Sequence, residues 1–114
     1  MLAKVFRLTS QKDFSLVKEK GRITHSSNFS LSVYPRNDSE PSRFGFIIPN
    51  KVVPLAHDRN RIKRVLSEGT RFQLTFVAPG FDCVFLPKAS ILRAYTADVM
   101  KEVGEAFRNA SIIK

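Results

Sequence analysis

Two stretches of the chain alternate between apolar and polar residues with a period of two. In NFSLSVY, residues Phe29, Leu31 and Val33 alternate with polar side chains, which is typical of a strand with one buried face. RFGFIIP, residues 43 to 49, repeats the pattern, and the intervening segment PRNDSEPS is rich in turn-forming residues. We therefore predict an antiparallel pair of strands joined by a polar loop.

Further strands are predicted on either side of this pair. RITH, residues 22 to 25, is a candidate for a short strand before Phe29. FDCVFLPK, residues 81 to 88, is a nearly continuous apolar run that follows Pro79 and Gly80. A run of this kind suits a central strand that is covered on both faces.

Three other segments have helical spacing. TSQKDFSLVKEKG has possible caps at Thr9 and Ser10 and stops at Gly21, so we predict a short first helix there. DRNRIKRVLSEGTRF predicts a second helix with Asp58 as its N-cap, and TADVMKEVGEAFRNA predicts a third. The residues predicted to face the core are Ile62, Val65, Leu66 and Phe72 in the second helix and Val99, Val103, Ala106 and Phe107 in the third.

The order of these elements is helix, strands, helix, strand and helix, without repeats or linkers. It predicts an α+β fold in which a sheet is layered against helices, a small single-domain α/β sandwich. A chain of 114 residues fits one domain, residues 1–114, and can bury about two thirds of its unfolded surface.

Charge and cysteine content narrow the class of protein. The chain has 19 lysines and arginines against 10 acidic residues, a net charge of +9, which indicates a polyanionic partner and most often nucleic acid. The single cysteine, Cys83, excludes an internal disulfide and is expected to be a buried thiol. No apolar run is long enough to span a membrane and no signal-peptide core is present, so a soluble cytoplasmic protein is expected.

The second predicted helix concentrates cations on one side. On a helical wheel of about 100° per residue, the cationic side holds Asn60, Lys63, Arg64, Ser67 and Arg71, with Arg61 at its border. Arg59 and Lys63 are a like-charge pair at i,i+4, and Arg61 and Arg64 are another at i,i+3; such pairs destabilise a helix. Cations at a helix N-terminus also oppose the macrodipole. We infer that this face binds a polyanion such as a phosphodiester backbone.

The segment RFGFIIPNKVVPLAHDRNRIKRVLSE resembles the signature of the protein subunit of bacterial ribonuclease P. In that family a strand runs through a lysine-containing loop into an Arg-Asn-Arg-x-x-Lys-Arg helix, which RNRIKR matches strongly. RLTSQKDFSLVKEKG before it and FDCVFLPKAS after it extend the resemblance over most of the chain.

The resemblance implies a subunit of a ribonucleoprotein enzyme whose partners are ribonuclease P RNA and precursor tRNA. In that family the RNA performs the chemistry, metal-assisted removal of the 5′ leader, so no catalytic residue is expected in the protein and the protein alone is expected to be inactive. Mg²⁺ is expected to be bound mainly by the RNA, with no metal held tightly by the protein. The family also implies a left-handed βαβ crossover around the second helix, and we expect a monomer in a 1:1 complex.

The resemblance further implies two groups of RNA-contacting residues. Those expected to contact the catalytic RNA are Arg59, Asn60, Arg61, Lys63 and Arg64. The single-stranded leader would lie in a cleft between the sheet and the first helix. The residues expected there are Phe14, Lys18, Ser32, Ile47 and Lys88, and strand parity or proximity adds Tyr34, Pro49 and Lys51. Lys18 and Ser32 stand where aromatic residues are common in the family.

Two groups of titratable residues have competing interpretations. His57 beside Asp58 could form an acid–base pair, but a loop histidine beside an N-cap is the preferred interpretation. Asp98, Glu102 and Glu105 share one face of the third helix, and there a solvated face is preferred over a metal site.

Two other classes of function remain open. A self-contained metal-dependent nuclease would cleave precursor tRNA without an RNA partner, but the chain lacks a convincing carboxylate cluster. A general or ribosomal RNA-binding protein would carry the same cationic helix without a role in processing.

Overall fold

The structure is a computed structural model that describes residues 2–114. A four-stranded sheet has one helix on one face and two helices on the other. The elements are α1 (Gln11–Lys20), β1 (Arg22–His25), β2 (Phe29–Pro35), β3 (Arg43–Phe46), α2 (Ala56–Gln73), β4 (Phe81–Pro87) and α3 (Thr96–Asn109). Each lies within or overlaps a predicted segment, so the predicted α+β sandwich is confirmed.

β4 is a central strand of the sheet. The strand order is β1-β2-β4-β3, with β2 antiparallel to both β1 and β4, and β3 parallel to β4. The predicted direct pairing of the strands on either side of PRNDSEPS is therefore wrong, because β4 lies between them. Alternation identifies the buried face of a strand but not its neighbour, and the most continuously apolar strand occupies a position covered on both faces.

α2 belongs to the connection between the parallel strands β3 and β4. After β3 the chain passes through the loop 47–55, α2 and a short 3-10 turn at 74–76 before it enters β4. This arrangement is the βαβ unit that the family resemblance implies. Its left-handed sense stays a prediction.

β2 is buried on both faces, although its alternation predicted one solvated face. Phe29 and Leu31 pack into the main core, and Ser32 lies on the opposite face beneath α1. The Ser32 hydroxyl donates a hydrogen bond to the carbonyl oxygen of Val17 in α1 at 3.2 Å. A small hydroxyl group that is hydrogen-bonded can be buried under a closely packed helix, so a polar residue in this strand marks a helix contact.

Phenylalanines dominate the core between the sheet and the two helices α2 and α3. Phe85 of β4 meets Phe29 edge-on with ring centroids 5.3 Å apart and stacks on Phe46 at 5.4 Å. Phe107 of α3 packs against Phe44 and Phe85. The inward-facing residues predicted for α3 are all buried. A smaller buried cluster beneath α1 consists of Leu8, Val17 and Val84.

The N-terminus of α2 differs from its prediction. The helix begins at Ala56 with Leu55 as its N-cap residue, so Asp58 lies inside the first turn and does not cap the helix. The expectation that His57 lies in a loop is wrong for the same reason. A carboxylate in the first turn still interacts favourably with the helix dipole.

The C-terminal part of α2 turns a different side to the core than predicted. Phe72 is 59% exposed, so its predicted place in the core is wrong. The buried side contains Gly69 and Thr70 instead. A Cβ added to Gly69 would lie 3.1 Å from Val103 Cγ2, which shows how closely α3 packs there. Apolar character alone could not show which side of the helix α3 covers.

Candidate nucleic-acid interface

The solvent side of α2 presents a row of polar and basic groups, the α2 basic row, which consists of Asn60, Arg61, Lys63 and Arg64. Arg61 is half-buried and the other three residues are exposed. Within residues 2–114, the three cations of the row form no ion pair with a carboxylate. Unpaired cations on one rigid helix can neutralise several phosphates and release their counterions.

Arg59 and Ser67 lie beside this row but are engaged differently. Nη1 of Arg59 donates to the carbonyl oxygens of Val53 at 3.0 Å and Pro54 at 2.8 Å, so the side chain attaches the preceding loop to the helix. Its contact with RNA stays a prediction. Ser67 is only 2% exposed, and its predicted place on the cationic face is wrong. A helical wheel describes one helix in isolation. It therefore cannot show that neighbouring segments cover the turn around Ser67 on more than one side.

α1 leaves one end of the sheet uncovered, and an open groove of about 370 Å³ lies there. From α1 it is lined by Phe14, Ser15 and Lys18, and from the sheet by Phe46 and Ile47. Three of the predicted leader-cleft residues, Phe14, Lys18 and Ile47, are therefore brought together. Phe14 is half-buried because its ring also packs on the apolar cluster beneath α1.

A row of side chains continues the groove across all four strands. His25 pairs with Ser30, and Ser30 pairs with Leu86. The N–H of Ile47 donates to the carbonyl oxygen of Phe85 at 3.0 Å, which places Ile47 beside β4 at the same level. Directly paired residues share a face, so the row lies on the α1 face and spans three strand spacings, about 14 Å.

Lys88 and His25 lie at the far end of this row. Nζ of Lys88 donates to the carbonyl oxygen of Ser26 at 2.7 Å, which fixes the amine beside the β1–β2 turn. Nδ1 of His25 lies 2.8 Å from Oγ of Ser30. Sequence reasoning missed His25 as a groove residue, because its position on this face follows from the register between β1 and β2.

Two predicted cleft residues lie elsewhere. Ser32 is buried beneath α1 with its hydroxyl bound to Val17, so it does not line the groove. Tyr34 lies on the same face but at the opposite end of the sheet, where it pairs with Asp82. Strand parity predicted the face correctly, but it could not show where along the strand α1 sits.

The loop 47–55 lies between the groove and α2. The carbonyl oxygen of Pro49 accepts hydrogen bonds from the N–H groups of Val52 and Val53, each at 3.0 Å, which closes a tight turn. Pro49 and Lys51 are both exposed in this turn. Lys51 therefore adds a cation to the surface between the two candidate RNA-binding regions.

An internal ion cluster occupies the opposite end of the sheet. Asp82 is 1% exposed and accepts hydrogen bonds from Arg36 and from Nε and Nη2 of Arg43, the latter two at 2.9 and 2.8 Å. Arg36 also donates to Asp38, and this hydrogen bond lowers the pKa of the Asp38 carboxyl below its ordinary value of 3.8. Hydrogen bonds to Asp38 and Asp82 raise the pKa of Arg36. These two arginines are neutralised internally and do not extend the α2 basic row.

The other chemically suggestive residues form no catalytic arrangement. Nδ1 of His57 lies 3.6 Å from Oδ1 of Asp58, but the His57 side chain is 89% exposed. Glu102 accepts hydrogen bonds from the backbone N–H of Asn28 at 2.7 Å and from its side-chain amide at 2.8 Å, so it anchors the β1–β2 turn and is not simply solvated as predicted. Burial raises the pKa of the Cys83 thiol, as expected for an inert buried cysteine.

In the described part of the chain, no three His, Cys, Asp or Glu side chains gather where they could hold a metal ion. None of the helices among residues 2–114 is both long and apolar enough to cross a membrane.

Comparison with known proteins identifies the family to which the chain belongs. Residues 2–111 match the family model described as Ribonuclease P. The chain belongs to the ribonuclease P protein family. A relative named Ribonuclease P protein component, from a Cyanothece species, is 32% identical over an alignment of 128 positions that covers 99% of this chain and 98% of the relative. Another of that name, from Finegoldia magna, is 36% identical and covers 75% of this chain and 73% of the relative.

Solved structures of the ribonuclease P family have the same fold. A Staphylococcus aureus RNase P protein mutant, described as defective in mRNA degradation activity, superimposes with a TM-score of 0.88 at 18% identity and covers 96% of this chain and 92% of its own. The RNase P protein from Thermotoga maritima gives a TM-score of 0.79 at 23% identity, covering 90% of this chain and 96% of its own. The resemblance inferred from RNRIKR is thus confirmed at the level of both family and fold.

Proposed function

We propose that this ribonuclease P family member binds a catalytic RNA through α2 and the 5′ leader of precursor tRNA through the groove, and so supports endonucleolytic removal of the leader. The observation that carries the proposal is the α2 basic row, in which Arg61, Lys63 and Arg64 have no carboxylate partner within residues 2–114. In this proposal the RNA performs the hydrolysis, and the protein alone is inactive.

Phosphate binding explains why the helix tolerates its charge pattern. Arg61 and Arg64 repel each other in the free protein, and the phosphates of an RNA would relieve that repulsion while counterions are released. Arg59 supports the row indirectly, because its hydrogen bonds to Val53 and Pro54 hold the start of the helix in place. The amide of Asn60 adds a donor and an acceptor for phosphate or sugar groups.

The groove suits a single nucleic-acid strand. Lys18 on one side and Lys88 at the far end can neutralise backbone phosphates, while Phe14 and Ile47 offer apolar surface to bases. With Phe14 as the aromatic residue that α1 contributes, we expect the cleft to depend on cations more than on stacking. The exposed Lys51 lies between the groove and α2 and can contact either RNA.

One rigid body would hold both RNAs. The groove is built on β3 and α1, and the loop that leaves β3 leads directly into the basic helix. Binding the catalytic RNA and the leader on adjoining parts of one domain fixes their relative orientation before the reaction. This positioning is the contribution that we assign to the protein.

Divalent metal ions belong to the RNA in this proposal. Mg²⁺ would be held mainly by RNA phosphates, because the protein side of the interface is cationic. The complex would contain one copy of the protein and one of the RNA, in the cytoplasm where precursor tRNA is processed.

A reconstitution assay tests the proposal. Precursor tRNA is incubated with Mg²⁺ and either the protein, the cognate ribonuclease P RNA, or both. We expect the protein alone to be inactive and the mixture to bind and cleave precursor better than the RNA alone at physiological salt. Cleavage by the protein alone would indicate a self-contained nuclease, and a mixture that behaves like the RNA alone would indicate a general RNA-binding protein.

A further inference from the structure

An exposed aromatic side chain, Phe72, lies near the C-terminal end of α2, at the edge of the face that carries the basic row. Phe72 is 59% exposed and follows Arg61 by eleven residues, which is close to three helical turns. The two residues therefore lie on the same side of the helix, about 16 Å apart along its axis. Arg71 follows Asn60 by eleven residues as well and lies on the face of the row itself, so a strand whose phosphates follow the row would reach Arg71 and the Phe72 ring beside it.

The Phe72 ring is held beside a cation that is itself held in place. The guanidinium carbon of Arg71 lies 5.0 Å from the centroid of the ring. Nε and Nη2 of Arg71 both donate to Oε2 of Glu68, at 2.9 and 2.7 Å. The hydrogen bonds to Glu68 restrict the guanidinium, so Arg71 and Phe72 form a preorganised aromatic and cationic pair that is open to solvent.

The size and surroundings of this pair favour a nucleotide over a protein. A phenylalanine side chain offers roughly 200 Å² in total, so 59% exposure leaves only about 120 Å². A stable protein interface needs about 800 Å² from each partner. Glutamate is depleted from protein interfaces, and Glu68 is bound to the guanidinium that lies beside the ring. A single base is of the right size, and its phosphates match the neighbouring row of cations.

We propose that Arg71 and Phe72 form a stacking platform for an unpaired base of the RNA that binds α2. This inference rests on the proposed function, because the same RNA must occupy the α2 basic row. Aromatic rings stack on any base, and the cation–π contact with Arg71 holds the Phe72 ring in place. The platform would extend the RNA contact from the start of α2 to its last turn.

Fluorescence can test the contact directly, because the chain contains no tryptophan. The Phe72→Trp variant carries a single tryptophan at the platform, and we expect its emission to be quenched when the cognate ribonuclease P RNA is added. Ile23→Trp is the matched control, since Ile23 is 52% exposed on β1, on the face of the sheet opposite α2. Its emission should not change. Binding of labelled RNA is measured in parallel by filter retention.

Affinity measurements give a second, independent test. Phe72→Ala should weaken RNA binding by about 5- to 150-fold, the range expected for one stacked base. The slope of log affinity against log salt concentration should stay the same, because no phosphate contact is removed. Phe76→Ala is the control, since Phe76 is 54% exposed beyond the end of α2. Phe72→Leu, which keeps an apolar side chain, should also lose affinity while its thermal unfolding is unchanged.

The outcomes separate this inference from the proposed function. If RNA binds with normal affinity to Phe72→Ala, or if bound RNA leaves the emission of Phe72→Trp unchanged, the platform is wrong while RNA binding by α2 stands. An equal loss of affinity in Phe76→Ala would also overturn the assignment to Phe72. If the unaltered protein fails to bind the RNA, both proposals are overturned together.

Discussion

Gly45 of β3 lies directly under the ring of Phe14 in α1: a Cβ added to Gly45 would be 2.4 Å from Cζ of Phe14. Real Cβ atoms do not approach other atoms so closely, so the contact requires glycine. The same ring lines the groove, together with Lys18 and Ile47. Because Gly45 has no side chain, α1 can approach the sheet closely, and this contact determines the position of Phe14 in the candidate leader site.

Gly45→Ala should displace the Phe14 ring. We expect the free energy of unfolding to fall by about 1–3 kcal/mol, the usual cost of overpacking, as measured by urea denaturation. Gly104→Ala in α3 is the control, because its nearest neighbour at 2.9 Å is Nε2 of Gln73, the end of a flexible side chain. Alanine there can even stabilise the helix by up to about 1 kcal/mol. Equal losses of stability in the two variants would show that the loss in Gly45→Ala does not come from the contact with Phe14.

Arg59 and Arg64 should respond differently to replacement by alanine. Arg59→Ala removes two hydrogen bonds to Val53 and Pro54, so we expect a loss of about 1–2 kcal/mol in the free energy of unfolding. Arg64→Ala should leave stability unchanged or slightly raised, because its repulsion with Arg61 is removed. It should weaken RNA binding and reduce the log–log salt slope by roughly 0.7–0.9. Urea denaturation and RNA titration at several salt concentrations measure the two effects. If Arg64→Ala leaves the salt slope unchanged, the Arg64 side chain contacts no phosphate.

Lys18 should distinguish precursor tRNA from mature tRNA. Lys18→Ala removes a cation that lines the groove, so the holoenzyme should lose affinity for precursor and keep its affinity for mature tRNA. Lys20→Ala removes the same charge from an exposed position on the same helix, outside the groove. Equilibrium binding of both tRNAs to both variants gives the comparison. If Lys20→Ala has the same effect as Lys18→Ala, the change reflects overall charge and not a leader contact.

The sequence predicts the local elements well because each depends on neighbouring residues. Alternation around Phe29 and Phe44 and the apolar run around Phe85 correctly predict strands and their core-facing sides. The order of the strands in the sheet could not be predicted, since nothing in the PRNDSEPS loop shows that β4 lies between β2 and β3. Ser32 shows a second limit: the family resemblance assigned it to the cleft, whereas its hydroxyl is buried under α1 and hydrogen-bonded to Val17.

The candidate site was predictable to the extent that it lies on one helix. Lys63 and Arg64 are exposed as the wheel indicates, because their positions depend only on helical geometry. The surroundings of Arg59 and Phe72 could not be predicted in the same way. They depend on the loop before α2 and on the packing of α3. The groove required still more information, because His25 reaches it through strand register.

Asp82 should be the most sensitive carboxylate of the ion cluster. It is almost fully buried between Arg36 and Arg43, so Asp82→Asn removes their shared buried counter-charge and leaves each guanidinium with a single, more exposed carboxylate partner. We expect a loss of about 3 kcal/mol or more in the free energy of unfolding. Asp13→Asn is the comparison, because the Asp13 carboxylate meets Arg43 at 3.3 Å in a more exposed pair, for which about 0–1 kcal/mol is expected. Similar losses in both variants would contradict the importance of burial.

The ionised Asp38 carboxylate should stabilise the β2–β3 loop at neutral pH, and this contribution should be lost in acid. Its pKa lies below 3.8 in the folded protein because Arg36 donates hydrogen bonds to the carboxylate. A lowered folded-state pKa means that the ionised group stabilises the fold above about pH 4, and that this contribution is lost as the pH falls through the folded-state value. The unaltered protein should therefore have a higher unfolding temperature than Asp38→Asn at pH 7, and the difference should shrink towards pH 3. Glu105→Gln, at an exposed position of α3, should show no such difference at either pH. A gap for Asp38→Asn that stayed constant with pH would mean that the loss comes from packing and not from the charge of the carboxylate.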